Sequence, residues 1–176
     1  LWLLLISAFA IVLSSLFCCS STAGEIEELS VTEVDGEYNL RIEAVLDAPA
    51  RYVYNIITDY KHAYRINPSI IEAEILPINH EELVRVRNKS EHKVGPFTFE
   101  VDWVGDIKES KLGELKVTTI PELSSFESGS ATWKIHPQGE HTHVVHESRL
   151  RPKFFVPPVI GSYITKSRLN KECLAT

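Results

Sequence analysis

Three histidines lie close together in the segment HTHVVH, residues 141–146, and histidine is a frequent ligand of transition metals. The segment has the pattern of a β-strand, in which successive side chains point to opposite faces. His141 and His143 therefore share one face while His146 points to the other, so at most two ligands converge. No Cys, Asp or Glu stands at a spacing that would complete a tetrahedral site. The sequence predicts no bound metal.

His146 is the more informative of the three. By alternation it shares a face with Val144, Ser148 and Leu150, and Asn88 occupies an inward position on an earlier strand. A buried histidine must find a hydrogen-bond partner, and the backbone supplies that partner more often than a ligand does. If His146 faces a cavity, it can bond a quinone carbonyl or a phenol, or act as an acid or base near neutral pH.

Other kinds of chemistry are poorly represented. The sequence contains no G-x-S-x-G motif, and its eight glycines form no phosphate-binding loop. We therefore predict no catalytic residue and no cofactor. The net charge of −6 excludes a typical nucleic-acid binder, because neutralising phosphates requires clustered positive charge. The basic residues of one strand occupy alternate positions, Arg85, Arg87 and Lys89, and we predict that they form a solvated face.

Period-two alternation dominates the second half of the chain. It predicts strands over residues 69–77, 82–91, 96–107, 112–120, 130–137 and 141–150. The clearest is FTFEVDW, in which the apolar side chains share one face: Phe97, Phe99, Val101 and Trp103. Such alternation is typical of an antiparallel sheet with one solvated face.

Helices are predicted in two places. Two short ones follow Pro49 and end before Pro68, and a final helix of about 16 residues, roughly 24 Å long, begins at Pro157-Pro158. Between Glu28 and Ala48, strand-like stretches flank the turn dipeptide Asp35-Gly36. The predicted fold is α+β: a curved antiparallel sheet of about seven strands around a long C-terminal helix, with two short helices after the first long strand.

A sheet with one solvated face must cover the other, and a helix lying across a bent sheet leaves a gap. The gap is predicted to be an apolar ligand cavity, although for each single residue an ordinary core role competes. The predicted lining residues are Phe97, Phe99, Val101, Trp103, Trp133, Ile135, His146, Ile160, Tyr163 and Ile164. The loop residues Phe154 and Phe155, beside Arg151 and Lys153, are predicted to form an entrance lip that makes transient contact with a membrane surface. Anchoring of the last helix is an equal alternative for this pair.

The first 23 residues carry no charge and end in Ser21-Thr22-Ala23, the small residues that a signal peptidase accepts. We predict a cleaved signal peptide over 1–23, secretion across the inner membrane to the periplasm, and a single domain over 24–176. An uncleaved leader that anchors the protein in the membrane is the alternative. Cys173 is the one cysteine beyond the leader, so no intrachain disulfide is expected.

Four segments, taken in order, resemble the START-like, or SRPBCC, superfamily. They are LDAPARYVYNIITDYKHAYRINPSI, FTFEVDW, ATWKIHPQGEHTHVVHES and RPKFFVPPVIGSYITKSRLNKE. The nearest likeness is to the polyketide cyclase/dehydrase and coenzyme Q-binding protein group, and it covers nearly all of residues 30–173. The resemblance implies a helix-grip fold with a deep hydrophobic cavity for a lipid, isoprenoid, sterol or polyketide-like ligand. It implies no catalytic triad and no metal site.

Three hypotheses for the function follow. The first is binding or carriage of a small hydrophobic ligand, such as a lipid or an isoprenoid quinone. For this function we predict a monomer that does not bind nucleic acid. The second is an aromatase/cyclase-type enzyme that acts on a polyketide-like substrate in the same cavity. The third is an interaction module without a cavity, for which a filled interior would be the sign.

Overall fold

The computed structural model describes residues 24–94, 97–110, 113–154 and 156. These ranges contain eight strands, one α-helix and two short 3-10 helices. The strands are β1 (Gly24–Val34), β2 (Glu37–Leu46), β3 (Ile70–Leu76), β4 (Leu83–Val94), β5 (Phe97–Glu109), β6 (Glu114–Thr119), β7 (Phe126–Gln138) and β8 (His141–Pro152). The helix α1 spans Ala50–Ile57, and the 3-10 helices span Tyr60–Arg65 and Pro121–Leu123. Within these ranges, no helix combines the length and the hydrophobicity that a membrane crossing needs.

The strands form one curved antiparallel sheet in the order β1-β2-β8-β7-β6-β5-β4-β3. From β3 to β8 each strand pairs with the next in the chain, as expected of short connections. The pairing of β2 with β8 joins the N-terminal hairpin to the end of this meander, with Ala44 opposite Val144. The predicted antiparallel sheet is confirmed.

The sheet has eight strands, one more than the prediction of about seven, because the first long strand is a hairpin. Asp35 and Gly36 have φ angles of 52° and 80°, and two such residues make the tight turn whose twist matches paired strands. The backbone N–H of Gly36 also donates to a carboxylate oxygen of Glu33 at 2.8 Å. The turn dipeptide was the correct signal, and the two stretches beside it are β1 and β2.

The two short helical segments lie where the sequence places them, between β2 and β3. Pro49 stands at the N-terminus of α1 with extended backbone, and Val53 on its inward side is buried. The second segment stops where the Asn67 side chain accepts a hydrogen bond from the backbone N–H of Ser69 at 2.9 Å. This local turn redirects the chain into β3. The predicted C-terminal helix lies outside the described residues.

The two faces of the sheet differ in chemistry. The inner face, defined here as the face that packs against α1, carries two apolar clusters centred on Val144 with Ile135 and on Leu115 with Val86. The outer face is charged. Across β4 and β5 it carries the ion pairs Arg85–Asp106, Arg87–Asp102 and Lys89–Glu100 at 2.7, 3.0 and 2.7 Å. The basic residues of β4 therefore lie on the outer face, where they are half-buried and paired with acids of β5.

Candidate functional site

Two tryptophans occupy the middle of the inner face. Trp133 of β7 contacts both apolar clusters, and Trp103 of β5 contacts the cluster around Leu115. Both side chains are only half-buried. Each stands directly opposite a polar residue across the ladder, Trp133 opposite His146 and Trp103 opposite Asn88. The inner face therefore presents aromatic surface with a polar group beside each ring.

The position of Trp103 depends on a glycine. A Cβ atom at Gly105, two residues along β5, would lie 2.4 Å from Cζ2 of the indole ring, so the ring covers this glycine closely. The indole N–H donates to the hydroxyl of Thr119 at 3.0 Å, and Thr119 is itself buried. Gly105 supplies the space and Thr119 supplies the directional bond that hold the ring in place.

The His146 ring lies against Trp133, with ring centroids 4.0 Å apart and the two planes inclined by 35°. Its Nδ1 atom is inaccessible to solvent and has no hydrogen-bond partner among the described residues. Burial lowers the pKa of the imidazole to about 4, because a charge would lose its hydration there, and the nearby Glu147 charge and the Thr132 backbone offset only part of this. The ring is therefore neutral at pH 7.

Asn88 of β4 presents a second unsatisfied polar atom. Its Oδ1 is buried and likewise has no hydrogen-bond partner among the described residues. Two positions before it, Val86 is one of the most deeply buried residues, at 1% exposure. The alternation of β4 therefore places the amide on the inner face, as the sequence predicts. A buried acceptor without a donor is uncommon in folded proteins and calls for an explanation.

Small side chains lie next to the Trp133–His146 pair. Ala131 of β7 stands opposite Ser148 of β8 on one side and Val117 of β6 on the other. All three are half-buried, and Val117 packs against the cluster around Leu115. This part of the inner face therefore has little side-chain volume of its own, which suits a surface that receives an apolar molecule.

One end of the inner face is closed by two tyrosines. The phenol groups of Tyr54 from α1 and Tyr60 from the following 3-10 helix donate to the two carboxylate oxygens of Glu109, at 2.5 and 2.8 Å. Burial and the Glu109 carboxylate raise the pKa of Tyr54 to about 12 and also raise that of Tyr60. The bonds attach the helical segments to the end of β5.

Replacing Tyr60 with phenylalanine is expected to lower the free energy of unfolding by about 1 kcal/mol, since one hydrogen bond to a carboxylate is lost at a partly solvated position. Urea titration measures this change. Tyr52→Phe is the matched control, because Tyr52 lies on α1 with 57% of its surface exposed. Equal stability of the Tyr60→Phe variant and wild type would show that the bond contributes nothing.

The predicted cavity residues are only partly covered by the described ranges. Val101, Trp103, Trp133 and His146 lie half-buried on the inner face, whereas Phe99 is 41% exposed. Ile135 is 3% exposed and packs against Val53 of α1, so it belongs to the core beneath the helix. The side chain of Phe97 and the residues Ile160, Tyr163 and Ile164 lie outside what the structure describes. Whether these positions touch a ligand stays a prediction.

Of the predicted entrance lip, Phe154 is described and Phe155 is not. The Phe154 ring is 42% exposed and meets the edge of Phe126 at a centroid distance of 6.2 Å. The neighbouring Lys153 ammonium donates to the backbone oxygens of Pro121 and Ser124, at 2.5 and 3.0 Å. This cation is therefore tied to the loop before β7, and Phe154 stands beside it.

On the outer face, acidic residues that are distant in sequence lie beside His143 of β8. His143 lies 2.8 Å from a carboxylate oxygen of Glu43 and 3.6 Å from one of Glu27, and the three could hold a metal ion. The sequence could not show this group because its members come from β1, β2 and β8. Arg41 already pairs with Glu43 at 2.6 Å, so the acidic charge is partly neutralised. His141 pairs instead with Asp47 at 2.6 Å.

An open groove of about 360 Å³ also lies over β1, β2, β7 and β8. Its lining is rich in hydroxyl and charged groups, including Ser30, Thr32, Arg41, Glu147 and Arg149. By alternation these residues point away from the inner face. The groove is therefore distinct from the predicted apolar cavity.

Sequence reasoning missed the Glu109 cluster for a simple reason. The predicted strand ended at residue 107, whereas β5 continues to Glu109. A signal was present, because Glu109 continues the inward alternation of Trp103, Gly105 and Ile107 and is the single acid in that series. An acid at an inward position predicts nearby hydrogen-bond donors.

Known proteins share this architecture. The family model described as "Polyketide cyclase / dehydrase and lipid transport" matches residues 46–163. No curated protein matches the chain. The family match spans α1, the meander and most of the inner face described above.

Solved structures resemble the chain at low identity. A STAR-related lipid transfer protein from Xanthomonas axonopodis is 13% identical with a TM-score of 0.63, over 87% of this chain and 97% of that one. The Zhui aromatase/cyclase from Streptomyces sp. R1128 is 13% identical with a TM-score of 0.59, over 78% and 92%. A START superfamily protein from Mycobacterium smegmatis is 15% identical with a TM-score of 0.60, over 76% and 90%. At these identities the likeness establishes the fold. The family match shows that the chain belongs to the polyketide cyclase/dehydrase and lipid transport family.

Proposed function

We propose that the protein binds and carries a small hydrophobic ligand on the inner face of the sheet. The observation that supports this most is the pair of unsatisfied polar atoms, His146 Nδ1 and Asn88 Oδ1, each beside a half-buried tryptophan. A face that served only as core would be expected to satisfy or omit such groups. The family and the fold, which includes a lipid transfer protein among its neighbours, support the same proposal.

The driving force for binding is desolvation. Each ligand methylene that leaves water contributes about 0.8 kcal/mol, so a chain of about ten carbons reaches useful affinity without any charged contact. Aromatic surface at Trp103 and Trp133 offers broad apolar contact, and the small side chains near Ala131 leave room for it. The predicted C-terminal helix would close the ligand in from the other side.

Replacing Val101 with arginine tests this proposal. Val101 is half-buried on the inner face, opposite Ser90, and a guanidinium there would have to lie against the ligand without a partner. We expect the variant to lose at least nine-tenths of the lipid that co-purifies with wild type, measured by native mass spectrometry.

Thr118→Arg is the matched control, since Thr118 is exposed on the outer face of β6. It introduces the same charge and should keep the lipid. Circular dichroism confirms that both variants are folded. Full retention of lipid by a folded Val101→Arg variant would contradict the assignment of the inner face as the binding site.

The enzymatic alternative has less support from the described residues. A histidine with a pKa of about 4 is a weak base at neutral pH, and the raised pKa values of Tyr54 and Tyr60 make them weak acids. An aromatase/cyclase would still be indicated if His146→Ala lost turnover of a polyketide-like substrate but kept its affinity. Loss of affinity alone would support carriage.

Two finer assignments stay predictions. One is an isoprenoid quinone as the ligand. The other is export to the periplasm after cleavage at Ala23, which lies outside the described residues. N-terminal sequencing of the protein made with its own leader checks the cleavage site, and membrane-fraction assays check the alternative of an anchored protein.

A further inference from the structure

We propose that Glu27, Glu43 and His143 form a zinc site on the outer face of the sheet, and that the bound ion fastens the edge strand β1 to β8. The site lies on the opposite face from the proposed ligand surface and does not depend on the proposed function. Three observations support it: the spacing of the ligand atoms, a bulge in β1 and an excess of negative charge.

The three ligand atoms are close enough to share one ion. His143 Nε2 lies 2.8 Å from a carboxylate oxygen of Glu43 and 3.6 Å from one of Glu27, and all three atoms lie within 4.8 Å of one another. Zinc binds nitrogen and oxygen ligands at about 2.0–2.1 Å, so a tetrahedral site holds such atoms roughly 3.3 Å apart. Small side-chain rotations therefore bring them into coordination, and water can complete the tetrahedron on the exposed side.

A β-bulge directs Glu27 to the outer face. The register of β1 against β2 shifts between Ile26 and Glu28, so Glu27 is the additional residue. Glu28 bonds Arg41 on the outer face, and strict alternation would turn its neighbour Glu27 inwards. The bulge instead lets two consecutive carboxylates share one face, and the Glu27 side chain reaches His143 across β2. Bulges commonly re-aim a side chain in this way beside functional sites.

The carboxylates in this region outnumber the cation that pairs with them. Arg41 bonds three carboxylates, those of Glu28, Glu43 and Glu147. With Glu27, four carboxylates thus lie around one guanidinium, and the group carries a net charge of −3 when the imidazole is neutral. A divalent cation would offset most of this charge.

Arg41 also positions the Glu43 carboxylate. Its Nη2 atom bonds Oε2 of Glu43 at 2.6 Å, while Oε1 faces His143 at 2.8 Å. One oxygen is thereby anchored and the other is directed towards the site, which is how supporting residues orient ligands in metal centres. The imidazole favours zinc and other transition metals over calcium and magnesium, which prefer oxygen ligands.

The test titrates zinc chloride into the full chain, made without a histidine tag and stripped with EDTA, by isothermal titration calorimetry. Wild type is expected to bind a single ion per chain. Glu27→Gln and His143→Gln should each weaken binding by about a hundredfold, since loss of a ligand costs at least as much as loss of a residue that supports one. Glu27→Gln should fold normally without zinc, because Glu27 is exposed and pairs with His143 alone among the described residues.

His141→Gln is the matched control. It removes an imidazole from the same strand and face, but His141 pairs with Asp47 and lies outside the site, so zinc affinity should be unchanged. X-ray absorption at the zinc edge should show nitrogen and oxygen ligands without sulfur. A sulfur ligand, an equal loss of affinity in the control, or no zinc binding by wild type would overturn the site.

Hydrogen exchange tests the fastening of β1. Among the described strands β1 pairs with β2 alone, so an ion that joins Glu27 to β8 adds a second restraint. Zinc should slow the exchange of β1 amides in wild type and leave it unchanged in Glu27→Gln. Zinc binding without slower exchange in β1 would overturn the fastening. None of these results bears on carriage of a hydrophobic ligand by the inner face.

Discussion

Replacing Gly105 with alanine is expected to lower the free energy of unfolding by about 3 kcal/mol, near the upper end for overpacking of a well-packed site. The added Cβ would lie 2.4 and 2.8 Å from two carbons of the Trp103 ring and 3.0 Å from the backbone oxygen of Thr118. The indole cannot simply turn aside, because its N–H is bonded to the buried Thr119 hydroxyl. Urea titration measures the loss, and near-ultraviolet circular dichroism reports the displaced ring.

A double-mutant cycle separates the ring from the backbone. In a Trp103→Leu background the clash with the indole is gone and only the approach to the Thr118 oxygen remains, so Gly105→Ala should cost much less there. The Trp103→Leu substitution should also weaken ligand binding, since Trp103 lies opposite Asn88 on the inner face. Equal costs of Gly105→Ala in the two backgrounds would show that the ring does not depend on the glycine.

Replacing His146 with phenylalanine is expected to remove about 2 kcal/mol of the stability loss that wild type suffers between pH 7 and pH 4.5. Burial lowers the pKa of the folded imidazole from 6.5 to about 4. Between these values the unfolded chain binds more protons than the folded one, so the free energy of unfolding falls as the pH falls through this range. Phenylalanine keeps an aromatic ring against Trp133 and does not titrate.

Other groups do not obscure this comparison. Three carboxyl groups have pKa values that are lowered by hydrogen bonds: Glu43 to Arg41, Asp59 to His62, and Asp106 to Arg85. Their contribution to the free energy of unfolding is therefore lost only as the pH falls towards and below 4. They act equally in both proteins and cancel in the difference. Urea titrations at pH 7.0, 5.5 and 4.5 measure it. Parallel pH profiles for the variant and wild type would show that His146 is not buried in its neutral form.

Much of the architecture could be predicted from the sequence, because alternate side chains of a strand point to opposite faces of the sheet and those faces differ in polarity. FTFEVDW separates an apolar face from a charged one, and the structure places Trp103 inward and Asp102 in an outer ion pair. The turn at Asp35-Gly36 could also be predicted from the sequence, since few residue pairs accept two positive φ angles. The ends of the strands were predicted less accurately. β7 begins at Phe126 rather than at residue 130, because a register shift near Ser128 interrupts the alternation.

The amino-acid sequence was sufficient to predict the class of sheet, its charged outer face, and the inward positions of His146 and Asn88. Alternation tells which face a side chain joins, and it does not tell which residue stands next to it on that face. Other features became apparent in the folded chain: β2 pairs with β8, α1 covers Ile135, and Tyr54 and Tyr60 share the carboxylate of Glu109. These are contacts between distant segments, made by pairing and packing of the whole sheet, and no local pattern records them.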